Sequence, residues 1–189
     1  LTSLSAAENF PTSQFDYDRW CRPSGALCPA QDAVATPLPT ATPASAPLKT
    51  PAPSTGDDYT TPSSQVQEEI LLNLLNQERI AQGLSPLTLD AELSRIARIK
   101  SADMRDNHYF AHESPTYGHV SDMLKTFGYS FSGAGENIAH HATTEKAHAA
   151  FMSSDGHRRN ILSSAWQKVG LGIVYDANGY VYVTQIFVR

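Results

Sequence analysis

A chain of 189 residues can hold one full domain plus an appendage, and a formal charge of −5 excludes a nucleic-acid binder that works through a concentrated positive stripe. No run of about 18 apolar residues occurs, so no segment is expected to cross a membrane as a helix. Cys21 and Cys28 are the whole thiol inventory, form no CxxC pattern, and exclude a zinc finger. In a secreted chain they would most simply close an eight-residue disulfide loop, worth about 2.5 kcal/mol, enough to staple local structure only.

Residues 1–32 place Phe10, Phe15, Tyr17 and Trp20 beside the cysteines, too little for a core and too aromatic for a plain tail. A chain starting at Leu1 is expected to be a processed or trimmed product. From 33 to 64 there are seven prolines and seven threonines, with only Lys49, Asp57 and Asp58 charged. That composition predicts an extended Pro/Thr-rich arm of polyproline-like stiffness, open to O-glycosylation. Ten of the twelve prolines precede residue 65, so the arm and the domain at 65–189 differ in kind.

Within the domain, Val66, Ile70, Leu71, Leu74 and Leu75 repeat at helical spacing up to Gly83. Asp90 can cap a second helix whose inner face is Leu93, Ile96, Ala97 and Met104. Arg79, Arg95, Arg98, Lys100 and Arg105 sit at helical spacing among acids and read as a solvated face. His112 falls in a loop marked by Pro115, and a short helix at 120–127 ends at Gly128. Residues 132–139 predict a short buried strand, and Thr143 caps a helix running to Met152. Two β-rich runs, 168–175 and 180–188, are joined across Asp176-Ala177-Asn178-Gly179. Asn-Gly signals a type I′ turn with positive φ at both central residues. Helices beside an antiparallel sheet imply an α+β layered domain.

Three motifs can carry chemistry: Phe110-Ala111-His112-Glu113-Ser114-Pro115, Gly135-Glu136-Asn137-Ile138-Ala139, and Ser154-Asp155-Gly156-His157-Arg158-Arg159-Asn160-Ile161-Leu162. Their two histidines and one glutamate are spaced to converge in a cleft. Neutral imidazoles at His112 and His157 can hold Zn²⁺ or another divalent cation if solvent or an acid completes the shell. Glu136 can then be a third ligand, a partner orienting a ring N–H, or a general base on bound water. The bland alternative has Glu136 bonded to loop amides and His157 bracing the turn at Gly156.

The remaining candidates are weaker. His108 and His112 have i, i+4 spacing, but Asn107 and Tyr109 signal that the helix is ending. His140, His141 and His148 read as exposed or core histidines. Ser114, Ser132 and Ser154 lack a Gly-x-Ser-x-Gly elbow, so a serine hydrolase has no support. The 176–179 segment lacks the rest of a calcium loop. Tyr175, Tyr180 and Tyr182 read as cross-strand packing.

With Leu74-Leu75-Asn76-Gln77-Glu78-Arg79, Val169-Gly170-Leu171-Gly172 and Thr184-Gln185-Ile186-Phe187, these motifs occur in an order that resembles the CAP superfamily. That group comprises cysteine-rich secretory proteins, antigen 5 and plant pathogenesis-related proteins; the resemblance is to its bacterial SCP-like extracellular branch. It covers residues 66–189 and implies a three-layer α-β-α sandwich whose cleft is lined by two histidines and two acids. By motif, His112 matches the first histidine, Glu136 the first acid and His157 the second histidine. Ser154 stands where the second acid would be, with Glu113 and Asp155 the nearest replacements. The resemblance implies a secreted or cell-surface, non-enzymatic binding module for lipid, cell-wall or protein ligands. One alternative is a metal-dependent hydrolase of peptide or cell-wall substrates, with Glu136 as general base. The other is a structural subunit that self-associates through residues 1–64.

Overall fold

The computed structural model describes residues 62–189. Cys21, Cys28 and most of the expected arm lie outside these residues. The first helix, α1 (Pro62–Ala81), takes in the last three residues assigned to the arm. Proline suits a first helical position, because the N–H it lacks has no intrahelical partner there.

The inward face of α1 is Ser64, Glu68, Leu71, Leu75 and Arg79. Val66 was expected on this face but is 53% exposed, because two residues of helix carry it to the far side. A solvated basic face is also not what forms: Arg79 and Lys100 are each 1% exposed. Arg79 donates from Nη1 to the carbonyls of Ile161 and Ser163 at 2.8 Å, and from Nε to Ser85 O at 2.9 Å. A cation at such a position satisfies loop carbonyls that no secondary structure pairs.

A two-residue strand, β1 (Thr88–Leu89), leads into α2 (Ala91–Asp106). Asp90 caps α2 as expected, its carboxylate accepting from Leu93 N at 3.0 Å. Then follow α3 (Val120–Thr126), β2 (Ala134–His141), α4 (Thr144–Ser153), α5 (Asp155–Ile161), β3 (Lys168–Tyr175) and β4 (Val181–Val188). Thr143 caps α4 by accepting from Lys146 N at 3.2 Å. Helix α5 has no counterpart in the sequence reading, which expected only a turn at Gly156.

The sheet order is β1-β3-β4-β2. Strands β3, β4 and β2 are antiparallel, but β1 joins β3 in parallel, so the sheet is mixed rather than purely antiparallel. The chain leaves β1 through α2 and returns only at β3, and such a crossover is what a parallel pair needs. The hairpin also differs from expectation. Among the described residues only Gly179 of the turn has positive φ, +80°, and Asn178 does not. Gly179 N donates to Asp176 O at 3.1 Å and Asp176 N to Tyr180 O at 2.8 Å. That is a three-residue loop with a left-handed glycine after its turn. The Asp176 carboxylate stabilises it by accepting from Asn178 N and Tyr180 N at 2.8 and 2.9 Å.

Alternation along the strands sends Val169, Leu171, Ile173, Val183 and Phe187 to one face, against Leu71 and Leu75 of α1, Phe151 of α4 and Ile161 of α5. Ile186 and Val188 face the other way, onto Leu93, Ile96 and Ala97 of α2 and Met123 and Leu124 of α3. Helices on both faces make the expected α-β-α sandwich. Helix α2 lies directly on β3 because Gly172 has no side chain: a Cβ there would stand 2.1 Å from Ala97 C.

Candidate functional site

Strand β2 is one edge of the sheet, the other being the two-residue β1, so residues from both helical layers can meet around it. Glu136 pairs with Ile186 and therefore points to the α2 and α3 face. His112 comes from the loop between α2 and α3, and His157 from α5. The structure brings His112 and Glu136 together directly, with His112 Nδ1 2.6 Å from Glu136 Oε1. The carboxylate is 3% exposed and the imidazole 39%. Glu136 Oε2 is buried without a hydrogen-bond partner.

His157 stands near enough to His112 to be influenced by its charge. Burial first, and then the electrostatic repulsion that a charged His112 would exert, bring the His157 pKa down to about 4, so the His157 imidazole is neutral at physiological pH. Its ring packs edge-on to Phe151, centroids 5.2 Å apart. The helix carrying it is tied to β2 by amide side chains. Asn137 Nδ2 donates to His157 O at 3.1 Å, while Asn160 Nδ2 donates to Asn137 Oδ1 at 2.9 Å and to Glu136 O at 3.2 Å. Gln185 accepts from Asn137 at 3.0 Å. The Glu-Asn and His-Arg-Arg-Asn motifs are thus two sides of one clamp.

The His112 loop is anchored by a polar network absent from the sequence reading. Lys100 Nζ donates to Ala111 O at 2.9 Å, His112 O at 3.0 Å and Tyr109 OH at 3.2 Å. Tyr109 OH in turn hydrogen-bonds Asp103. Asp103 also accepts from Ser114 Oγ at 2.6 Å, Asn107 Nδ2 at 2.7 Å and Thr116 Oγ1 at 2.8 Å. Burial lowers the Lys100 pKa, opposed by the charges of Glu136 and Asp103. The available signal was positional: Lys100 and Asp103 follow Ile96 at helical spacing, on the face where apolar residues belong.

Other candidates stay apart. Helix α2 ends at Asp106, so His108 and His112 share no helical face. Glu113 approaches His119 at 3.9 Å and Asp155 pairs with Arg158 at 2.5 Å, so neither acid replaces the one missing at Ser154. His148 lies under α1, 3.9 Å from Glu78, and its pKa is lowered by burial.

Among the described residues, no group of three or more His, Cys, Asp or Glu side chains is arranged to hold a metal ion. Glu136 is drawn to His112 Nδ1, the arrangement of a carboxylate that orients an imidazole. An ion here would be held by the imidazoles of His112 and His157, with Glu136 hydrogen-bonded to the first ring and not free to join them.

The model of the CAP: Cysteine-rich secretory protein family matches residues 72–187. YkwD of Bacillus subtilis is 45% identical over 141 residues, 72% of this chain and 54% of YkwD. The B. subtilis membrane protein YlbC is 35% identical over 123 residues, 65% of this chain and 34% of YlbC. The chain therefore spans about half and a third of these relatives. A crystal structure of an extracellular protein containing an SCP domain, from Bacillus anthracis, is 34% identical with a TM-score of 0.63, covering 69% of this chain and 44% of that one. With the ordered motifs and the three-layer fold, this match establishes that the chain belongs to the CAP, or cysteine-rich secretory protein, family and carries a domain of its bacterial SCP type.

Proposed function

We propose that this protein is an extracellular, non-enzymatic binding module whose cleft, formed by His112, Glu136 and His157, takes up a divalent cation such as Zn²⁺. The observation that carries this reading is the 2.6 Å contact between His112 Nδ1 and Glu136 Oε1. A carboxylate on one ring nitrogen fixes the tautomer and leaves the other nitrogen as a donor. His157, held neutral by burial, supplies the second imidazole. When bound, the ion would supply a Lewis-acid point to which a lipid headgroup, cell-wall polymer or protein ligand could attach. The extracellular location is supported by the likeness to the B. anthracis SCP protein. The hydrolase alternative gains little from the geometry, since Glu136 is enclosed and committed to His112; the solvent-facing proton acceptor would be the imidazole.

Isothermal titration of the full chain with Zn²⁺ near pH 7.5 tests the reading. One saturable site is expected, weakened about a hundred-fold in His112→Ala and in His157→Ala. A chain that takes up no Zn²⁺, or binds it equally well in both variants, removes the metal from the proposal. Zinc-dependent turnover of a peptide or cell-wall substrate, abolished by His112→Ala, would replace the binding module with the hydrolase.

A further inference from the structure

We infer that Asn178 is a site of spontaneous covalent change, losing its side-chain amide to attack by the backbone nitrogen of Gly179, and that the isoaspartate formed loosens the β3–β4 hairpin. Asn178-Gly179 is the one Asn-Gly pair in the sequence. Once the Gly179 amide gives up its proton to solvent base, its nitrogen attacks Asn178 Cγ. A Cγ–N bond forms, the Cγ–Nδ2 bond breaks, and Nδ2 leaves as ammonia, giving a five-membered succinimide with no oxidation or reduction. Water then opens the ring at either carbonyl. Cleavage of the new Cγ–N bond yields aspartate. Cleavage of the original peptide C–N bond yields isoaspartate, in which the main chain runs through the side chain. Glycine favours the attack because no side chain crowds the nitrogen and its backbone reaches conformations closed to other residues. None of residues 176–180 belongs to the histidine cleft, so the inference does not rest on that cleft's reading.

The surroundings leave this pair open to reaction. Residues 177–180 are all exposed. Gly179, at φ +80°, has nothing within 4 Å of where a Cβ would stand, so no neighbour shields its face. Its N–H is held by Asp176 O at 3.1 Å, near the long end of the range for such a bond. An exposed bond at a loop tip opens without unfolding the sheet beneath it. Other asparagines are protected twice over. Asn76, Asn107, Asn137 and Asn160 each commit Nδ2 to a hydrogen bond, and each is followed by a residue that carries a side chain.

The product matters because short-range bonds close the loop. Asp176 Oδ1 accepts from Asn178 N and Tyr180 N at 2.8 and 2.9 Å, while Oδ2 meets His140 Nε2 on β2 at 3.0 Å. One carboxylate thus shapes the turn and ties it to the neighbouring strand. Isoaspartate inserts an extra backbone atom between the Cα of residue 178 and Gly179 N, so the three-residue loop no longer presents both amides to Asp176. It also places a second carboxylate beside the first, and like charges at that range repel. Aspartate, the other product, adds the charge but keeps the backbone. The two effects are therefore separable.

The test is to hold the folded full chain in mildly alkaline buffer, with a urea-unfolded sample alongside, and follow its tryptic peptides by mass spectrometry. Amide-to-acid conversion is expected in the folded chain at 178, growing with time and resolving into aspartate and isoaspartate forms. It should be lost in Asn178→Gln, whose longer side chain would have to close a larger ring. The aged protein should melt below fresh wild type and below Asn178→Asp, which carries the added charge on an unaltered backbone. A folded chain that keeps its amide at 178 overturns the inference, and conversion in urea alone would show that the hairpin protects the pair. Conversion at Asn76, Asn107, Asn137 or Asn160 as fast as at 178 also overturns it. An aged protein that contains isoaspartate yet melts with Asn178→Asp overturns the loosening of the hairpin.

Discussion

Lys100 holds His112 by its backbone: the buried ammonium donates to the carbonyls of Ala111 and His112 at 2.9 and 3.0 Å. The same ammonium supplies a positive charge toward Glu136. One residue on the inner face of α2 therefore positions the loop carrying the imidazole and balances the carboxylate that orients it.

Replacing this lysine should disturb both. Lys100→Met leaves two carbonyls and two buried carboxylates without their cation, at a cost of about 3 kcal/mol. Urea unfolding should show the loss, with the largest native-state amide shifts at residues 109–113. A variant as stable as wild type would mean that the loop is held by the Asp103 cluster alone.

Glu136→Gln separates charge from shape. An amide oxygen can still accept from His112 Nδ1, so the fold should survive within about 1 kcal/mol. The imidazole loses its anionic partner, and Zn²⁺ affinity should fall about 10- to 100-fold. Circular dichroism and titration calorimetry on one preparation check the two parts together.

Acid should weaken the fold through His157. Its pKa is lowered from 6.5 to about 4 in the folded state. Between those values the unfolded chain binds a proton that the folded chain refuses, so stability falls as pH drops through that window. His148, also lowered by burial, acts with the same sign. Burial raises the Glu68 pKa despite its contact with Arg98, which acts with the opposite sign. Thermal melts from pH 7 to 4 should therefore show a shallower decline in His157→Gln than in wild type.

Two glycines should respond in opposite directions. A Cβ at Gly172 would lie 2.1 Å from Ala97 C and 2.2 Å from Arg98 N, backbone atoms that cannot turn aside. Gly172→Ala should cost about 3 kcal/mol or prevent folding. Gly156, in α5, has nothing within 4 Å of such a Cβ, and Gly156→Ala should stabilise by about 0.5–1 kcal/mol. Melting temperatures of the pair decide whether close approach or chain entropy governs each position.

The amino-acid order by itself determined the elements whose signals are local. Asp90 and Thr143 cap helices because a short side chain reaches an amide a few residues on, and the inner face of α2 follows from apolar spacing. The family was legible too, since His112, Glu136 and His157 lie in motifs that keep a fixed order along the chain. What only the tertiary structure decided depends on residues far apart in sequence. Arg79 and Lys100 look like solvated charges until loops from elsewhere offer them carbonyls. The turn at 176–179 looks like a type I′ hairpin until the Asp176 carboxylate captures two of its amides. Glu136 reads equally well as ligand, base or orienting partner until the α2–α3 loop brings His112 Nδ1 against it. Periodicity reports which side of an element is apolar; it carries no information about which distant polar group will arrive to satisfy a buried one.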